Sequence, residues 1–307
     1  MNKPRRAPRR RVDGVLLLDK PLGLSSNAAL QKARWLFNAE KAGHTGTLDP
    51  LATGLLPLCF GEATKFSSTL LDADKTYLAT VKLGIVTDTC DAEGKVLATH
   101  PVTTTEADVL ALLTRFTGEI EQVPPMYSAL KREGKPLYEL ARQGIEVERA
   151  ARKVTIHALE ISNWQGDRFD LCVACSKGTY VRTLAADIGT ALGCGAHLSA
   201  LRRTRVGMLD IAQALTLGAI EALSAAARDR LLQPPDALLA GLPVAQLSGH
   251  EAAGLLKGQP IRWNDSTDVP SCQRRLFGPQ GFIGLGECSA DGWLKPKRLV
   301  ATLTATS

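Results

Sequence analysis

The pattern of apolar and polar positions alternates between the period of strands and that of helices. From Lys75 to Gly84, apolar residues occupy every second position, which is typical of a strand with one buried face. Thr105 and Asp108 form a capping-box pattern before a helical segment that reaches about Phe116. The same criteria predict strands at 14–18, 55–60, 154–164 and 169–176 and helices at 25–37, 61–71 and 180–192.

Strands and helices interleave along the chain, yet the strands show the alternation expected of antiparallel sheets with one solvent-facing side. No G-x-G-x-x-G segment opens a helix. We therefore expect an α+β fold with a mixed, largely antiparallel sheet rather than a doubly wound parallel one. Residues 14–245 are expected to form this large domain, and 246–307 a small β-rich C-terminal domain with a hairpin turn at 290–292.

Charge is distributed unevenly. The 307 residues include 37 basic and 31 acidic ones, and six of the basic residues fall in the first 12, so the remainder is formally neutral. Residues 1–13 contain little that could be buried and are predicted to form a disordered basic tail. A second basic stretch at 124–153 resembles an insertion. Both segments favour an anionic partner, as does a basic cluster formed by Arg202, Arg203 and Arg205.

The seven cysteines are scattered, and no secretory leader precedes them, which favours reduced thiols and a cytoplasmic protein. No apolar run is long enough to suggest a membrane span. Cys172 and Cys175 are expected on opposite faces of one strand, which argues against a shared metal ion. We expect no metal and no cofactor.

The densest group of reactive residues extends from His44 to Pro50. Pro50 favours an extended, rigid backbone at Asp49, and the apolar strand that follows would desolvate this carboxylate. Arg182 is a candidate partner because it lies at another glycine-marked junction of strand and helix. The alternative is that Asp49 and Pro50 only begin a turn. Tyr77 and Tyr180 could stack on a nucleobase, although tyrosines at strand spacing are more often core residues.

Five segments, in order from about residue 14 to 207, resemble the TruB family of tRNA pseudouridine-55 synthases of the bacterial type. They are GVLLLDKPLGLSS, GHTGTLDPLATGLL, the K-x-Y strand at 75–77, MYSALKREGKPLYELARQG and CSKGTYVRTLAADIGTALGCGAHLSALRRT. The last sixty residues resemble the family's PUA-like RNA-binding module only loosely.

The resemblance implies specific roles for residues of this chain. Asp49 would be the catalytic aspartate and Arg182 its partner. Tyr77 would stack on the target uracil, with handling of the C5 proton as a second role. His44 would hold the rearranged T loop, Tyr180 would pack on the other side of the base, and Leu201 would form a wall of the pocket. The basic stretch at 124–153 would be a mobile thumb that closes on RNA.

The implied reaction is an isomerisation that detaches uracil from C1′ of the ribose, turns it and rejoins it through C5. The implied partner is the T-arm stem-loop of tRNA, with no obligate protein partner, and a monomer is expected. The residues leave open whether Asp49 attacks C1′, adds to C6 or removes the C2′ proton. Two other functions also remain open: a non-catalytic protein that binds or folds tRNA, and a glycoside hydrolase with a carboxylate nucleophile.

Overall fold

A computed structural model describes residues 8–128, 130–132, 134–263 and 273–301. The helices are α1 (Ser26–Leu36), α2 (Ser67–Leu71), α3 (Glu106–Leu113), α4 (Leu137–Arg142), α5 (Val181–Ala191), α6 (Leu217–Glu221), α7 (Ala225–Asp229) and α8 (Gly249–Leu256). Shorter 3-10 segments are Gly61–Phe66, Thr114–Phe116, Ile211–Gln213 and Pro235–Leu239.

The first ten strands are β1 (Gly14–Lys20), β2 (Ala42–His44), β3 (Ala52–Phe60), β4 (Lys75–Leu83), β5 (Ile85–Thr87), β6 (Val96–Thr99), β7 (Gly118–Gln122), β8 (Lys131–Arg132), β9 (Lys135–Pro136) and β10 (Arg152–Ser162). The others are β11 (Arg168–Cys175), β12 (Ala196–Val206), β13 (Leu209–Asp210), β14 (Leu215–Thr216), β15 (Val244–Gln246), β16 (Ile261–Arg262), β17 (Gln273–Gly278), β18 (Gly281–Cys288) and β19 (Trp293–Leu299).

A ten-stranded sheet forms the large domain, in the order β14-β1-β3-β12-β4-β11-β10-β7, with β2 beside β3 and β13 beside β12. Its pairs β1–β14 and β3–β12 are parallel and its other pairs are antiparallel. The prediction of a mixed, largely antiparallel α+β fold is therefore confirmed. The predicted capping box at Thr105 is also present, and the Ser25 hydroxyl caps α1 by accepting from the Ala28 amide.

Two apolar clusters on one face of this sheet determine where the site lies. One contains buried residues of β4, β11 and α5, and the other contains buried residues of α1, β1 and β3. Tyr77 and Leu201 pack against both clusters. They lie on the neighbouring central strands β4 and β12, so the two halves of the core meet at these two side chains.

The C-terminal sheet has five strands in the order β15-β17-β18-β19-β16, which confirms the predicted small β-rich domain. The predicted boundary at residue 246 falls inside β15, which pairs with β17 from Val244 onward. This sheet packs on the large domain. The Phe282 ring lies 5.5 Å from that of Phe66, and the Lys65 ammonium donates to the Leu299 carbonyl over 2.9 Å.

The disordered tail predicted through residue 13 is wrong for residues 10–13. The Arg10 amide donates to the Asn38 carbonyl over 2.8 Å, and its guanidinium pairs with Asp229. Val12 is buried, which gives the segment an apolar anchor that its basic composition conceals. Residues 1–7 of the predicted tail lie outside the described residues. None of the helices in the described part of the chain is long and apolar enough to cross a membrane.

Candidate active site

Asp49 lies in the loop between β2 and β3, and the start of α1 holds this loop in place. The buried Ser26 hydroxyl donates to the Leu48 carbonyl over 3.0 Å and accepts from the Leu48 amide over 2.7 Å. On the other side of Asp49, the Pro50 carbonyl accepts from the Gly23 amide over 2.9 Å. Both neighbours of Asp49 are therefore fixed, and its side chain projects from a restrained backbone.

Arg182 lies in the first turn of α5 and reaches Asp49. Its Nη2 is 3.0 Å from Asp49 Oδ2, which brings together two residues that are 133 positions apart in the chain. The Arg182 side chain is 5% exposed, whereas that of Asp49 is 40% exposed. The carboxylate is thus accessible from one side, while the guanidinium behind it is shielded from solvent.

Three further groups hold Arg182. Asp91 Oδ2 lies 3.2 Å from Nη1, and the Thr89 carbonyl accepts from the same nitrogen over 3.2 Å. The Tyr127 carbonyl accepts from Nη2 over 2.7 Å. Tyr127 belongs to the predicted thumb at 124–153, which contains α4 and the β8–β9 hairpin. The base of this insertion is therefore bonded to the arginine that contacts Asp49.

Sequence reasoning missed Asp91. It occurs in the turn TDTCDAEG, which has no motif and would be expected at the surface. The structure buries its side chain, to which the Thr89 hydroxyl donates over 2.5 Å and the Glu93 amide over 3.0 Å. Arg182 thus forms ion pairs with two carboxylates, that of Asp49, which is partly exposed, and that of Asp91, which is buried.

Burial raises the pKa of Asp49, and the neighbouring Arg182 opposes this rise. Lys20 is fully buried nearby, where its ammonium donates to the carbonyls of Pro21 and Leu24 over 2.9 and 2.6 Å. Burial lowers the pKa of Lys20 to about 8, although Asp49 favours its charged form. A carboxylate with a raised pKa is a better base than an ordinary aspartate, and the two cations keep its ionised form accessible.

Tyr77 and Leu201, both partly buried, lie where the two core clusters meet, and together with Asp49 they define the candidate substrate cleft. Leu201 is opposite Ala79 of β4 and also opposite Ala52 of β3, at the start of the strand that follows Asp49. Tyr77 is opposite Arg203 on β12, and the Arg203 guanidinium hydrogen bonds to its hydroxyl. Burial raises the pKa of Tyr77, so this side chain is a neutral phenol at pH 7. Together these residues provide an apolar surface next to a carboxylate.

The predicted RNA-contacting cluster of three arginines is wrong for Arg203, which is 1% exposed. Alternation along β12 turns this side chain inward, whereas its neighbour Arg202 bonds to both carboxylate oxygens of Asp19 over 3.0 and 2.8 Å. Arg205 lies 3.6 Å from Asp210. Basic residues that follow one another along a strand therefore do not form one basic surface.

His44 directly precedes the loop that carries Asp49, and Tyr180 lies two residues before Arg182. His44 is the last residue of β2, and its Nδ1 is buried without a hydrogen-bond partner among the described residues. Burial and, to a lesser extent, Arg203 lower the pKa of His44, so the ring is neutral at pH 7. Tyr180 caps α5, its backbone bonds to the Gln122 side chain, and the Arg152 guanidinium lies 4.8 Å from its ring centroid.

Comparison with known proteins identifies the class to which this fold and site belong. The family model described as TruB family pseudouridylate synthase (N terminal domain) matches residues 34–181. Two C-terminal models, tRNA pseudouridylate synthase B C-terminal domain and Pseudouridine synthase II TruB, C-terminal, match 182–240 and 243–300. The protein is thus an enzyme of the pseudouridine synthase class, an isomerase.

The family follows from relatives that match almost end to end. The chain is 61% identical to the tRNA pseudouridine synthase B of Azoarcus sp. (strain BH72), with 98% of this chain and 99% of the relative covered. It is 58% identical to that of Dechloromonas aromatica (strain RCB), with 95% and 96% covered. The chain belongs to the TruB family.

Solved structures support the fold. A protein in the structure of an H/ACA RNP bound to a substrate RNA containing 2′-deoxyuridine has a TM-score of 0.71 and 22% identity, with 94% of this chain and 85% of that chain covered. A chain of the archaeal box H/ACA sRNP Nop10-Cbf5 complex has a TM-score of 0.70 and 23% identity, with 93% and 85% covered. At this level of identity the likeness concerns the architecture.

Proposed function

We propose that this protein converts uridine 55 in the T loop of tRNA into pseudouridine, with Asp49 as the catalytic carboxylate. One observation carries the assignment of the site: Arg182 holds Asp49 at 3.0 Å, beside the apolar surface of Tyr77 and Leu201. The substrate follows from relatives named tRNA pseudouridine synthase B at 61% identity. The reaction is expected to take place in the cytoplasm on a monomeric enzyme.

The target base must first leave the loop, because uracil cannot be turned while it is stacked. Flipping costs a few kcal/mol, about the free energy that stacking on one aromatic side chain recovers. Tyr77 provides that ring, and Leu201 borders it on the adjacent strand. The site thus offers an apolar surface on which detached uracil can rotate without escaping into solvent.

Asp49 acts on the ribose or the base at the moment when the C1′–N1 bond breaks. Its open side faces the cleft, and Arg182 restricts the orientation of the carboxylate on the buried side. Since the uracil is rejoined through C5, the product has the same composition as the substrate. The reaction therefore consumes no second reactant, and the chain's own residues suffice to orient the base, hold the carboxylate and exclude water.

Recognition of the RNA is assigned to the segments around this cleft. Proteins read looped RNA by its shape and by unstacked bases, so a T-arm stem-loop should contain what this enzyme needs. The insertion at 124–153 is proposed to close over the loop. Because its Tyr127 carbonyl bonds to Arg182, the position of the insertion is linked to that of the catalytic pair. His44 and Tyr180 are proposed to contact the rearranged loop and the base, respectively.

The test is single-turnover conversion of a synthetic T-arm stem-loop, scored by pseudouridine-specific chemistry and by mass spectrometry of the nucleosides. We expect pseudouridine at position 55, and none in a matched RNA with cytidine there. Tight binding without conversion would support a non-catalytic RNA-binding protein instead. Release of free uracil would indicate a hydrolase.

A further inference from the structure

Arg203 occupies the centre of the sheet, in close contact with two other strands. It is opposite Tyr77 of β4 and opposite Gly54 of β3. Gly54 has a φ of +100°, and a Cβ at this position would lie 2.3 Å from the Arg203 carbonyl oxygen. Glycine is therefore required for β3 and β12 to approach this closely, and the approach places the Arg203 side chain beneath the Asp49 loop.

The guanidinium of Arg203 is satisfied by neutral groups. Its Nε donates to the Leu55 carbonyl over 2.8 Å, its Nη2 donates to the Gly46 carbonyl over 3.4 Å, and it hydrogen bonds to the Tyr77 hydroxyl. Within the described ranges, no carboxylate forms an ion pair with it. Arg182, by contrast, has two carboxylate partners. Arg203 is thus a buried cation whose charge is not neutralised nearby.

This charge affects several groups around the cleft. It lowers the pKa of His44 and contributes to the lowered pKa values of Lys20 and Lys75. It also opposes the rise in the pKa of Tyr77 that burial causes. An isolated charge is costly to bury, and enzymes retain such groups where charge of the opposite sign develops during the reaction.

We propose that Arg203 anchors the Tyr77 ring and stabilises the uracil anion that forms on this ring during the reaction. The inference rests on the proposed function. When the C1′–N1 bond breaks, its electron pair remains with N1 and the base leaves as an anion. The proposal concerns the two routes in which Asp49 acts on the ribose and uracil is fully detached. In these routes the bond lost at C1′ is replaced either by a bond to the Asp49 carboxylate or by a double bond to C2′, with the C2′ proton passing to Asp49. In both cases negative charge moves from Asp49 to uracil.

The return step balances the charge and the atoms. The electron pair delocalised onto C5 forms the new C5–C1′ bond, while Asp49 is released as a carboxylate or returns its proton to C2′. C5 then loses its proton and N1 gains one, so the net change is an isomerisation. Arg203 exchanges no proton in this scheme. It acts as a fixed positive charge that favours the state in which uracil is detached.

The deciding experiment compares two leaving groups in Arg203→Gln. With uridine at the target position, we expect single turnover at saturating enzyme to slow by about 100-fold, as for loss of a preorganised charged donor. With 5-fluorouridine, measured as its disappearance from nuclease digests, we expect a loss of only about tenfold, because fluorine itself stabilises the uracil anion. A purely structural defect would slow both substrates equally, and equal losses would overturn the proposal.

Arg228→Gln is the matched control, since Arg228 also donates to backbone carbonyls, those of Ile220, Leu36 and Glu221. We expect it to lower the melting temperature without changing the ratio of the two rates. Tyr77→Phe keeps the ring and the charge but removes the anchored hydroxyl. Its loss should be about the same for both substrates. A loss that depends on the leaving group in Tyr77→Phe would assign the effect to the hydroxyl and not to Arg203.

Arg203→Lys keeps a charge at this position and tests the proposal if the glutamine variant does not fold. A buried lysine titrates well below its ordinary pKa, as Lys75 does at about 8. We therefore expect its single-turnover rate to fall, relative to wild type, as the pH rises from 7 to 9.5. A pH-independent ratio would contradict the electrostatic role. If the wild-type enzyme forms no pseudouridine in T-arm RNA, the proposed function fails first, and this result is separate from all variant comparisons.

Discussion

Arg182 and Arg203 both contact the loop that carries Asp49, and their surroundings differ in one respect. Arg182 contacts Asp49 and the buried Asp91, so its positive charge is matched within the site. Arg203 bonds to the carbonyls of Gly46 and Leu55 and to the Tyr77 hydroxyl, so its charge is not matched. This difference suggests that the two arginines have different roles. Arg182 orients the Asp49 carboxylate, which is an anion before the reaction starts, whereas Arg203 stabilises the uracil anion, which forms only during the reaction.

Asp49→Asn should have the largest effect, because it removes the anion that Arg182 orients. We expect single-turnover formation of pseudouridine to fall by at least about 1,000-fold with tRNA binding retained. Filter binding provides the control for folding and recognition. Substantial turnover by this variant would show that the ionised carboxylate is dispensable and that the two arginines do not differ in the way described.

Arg182→Lys should rank second. An ammonium is a point charge and cannot bond at once to Asp49, Asp91 and the carbonyls of Thr89 and Tyr127. We expect a loss of about 100-fold in the single-turnover rate. The loss should be the same for uridine and 5-fluorouridine, since Arg182 acts on Asp49. A loss that is much smaller for 5-fluorouridine would assign stabilisation of the leaving group to Arg182 instead.

Asp91→Asn should have an intermediate effect. It preserves the shape of the side chain and can still accept from Thr89, but it removes one of the two charges paired with Arg182. We expect a loss of about tenfold, the size expected for one hydrogen bond to a charged group. Thermal melting separates this from unfolding. A rate within twofold of wild type would mean that Asp49 alone is enough to hold Arg182.

The change of the single-turnover rate with pH should be the smallest of these effects. Because burial raises the pKa of Asp49, its protonated, inactive form should appear at a higher pH than for an ordinary aspartate, whose pKa is about 3.9. As the pH decreases, the single-turnover rate should therefore begin to fall at a higher pH than it would for an ordinary aspartate, by at most about tenfold per unit. The binding of RNA should be measured at each pH. A rate whose fall in acid has its midpoint at or below about pH 3.9 would contradict the raised pKa.

Much of the architecture could be predicted from local patterns. The alternation at 75–84 corresponds to β4, the Thr105 capping box begins α3, and the strands predicted at 154–164 and 169–176 are β10 and β11 within two residues. Other features depended on long-range contacts. The helix predicted at 61–71 begins as a 3-10 segment, and the boundary of the C-terminal sheet lies two residues earlier than predicted because β15 pairs with β17.

In the candidate site, too, some residues could be predicted from the sequence, whereas others depended on long-range contacts. The segments that contain Asp49, Tyr77, Arg182, His44, Tyr180 and Leu201 resemble motifs of the TruB family, so these residues could be named from the sequence. Their proposed roles remain to be tested. Asp91 could not be predicted as a site residue, because the sequence of a polar turn does not show whether the turn is exposed or buried. The prediction that Arg202, Arg203 and Arg205 form one basic surface was wrong for Arg203. Successive residues of a strand face opposite sides of the sheet, and the sequence does not show which side is covered.

The sequence by itself determined the fold class, the likeness to one enzyme family and the residues that carry reactive groups. These depend on side-chain chemistry, periodicity and spacing, which are properties of short segments. Only the tertiary structure decided which charges meet and which stay unmatched. Asp91 comes within 3.2 Å of Arg182 through a contact across 91 residues, and Arg203 becomes a buried cation because β3, β4 and β12 enclose it. Burial and charge pairing arise from the packing of distant segments, so no local pattern can determine them.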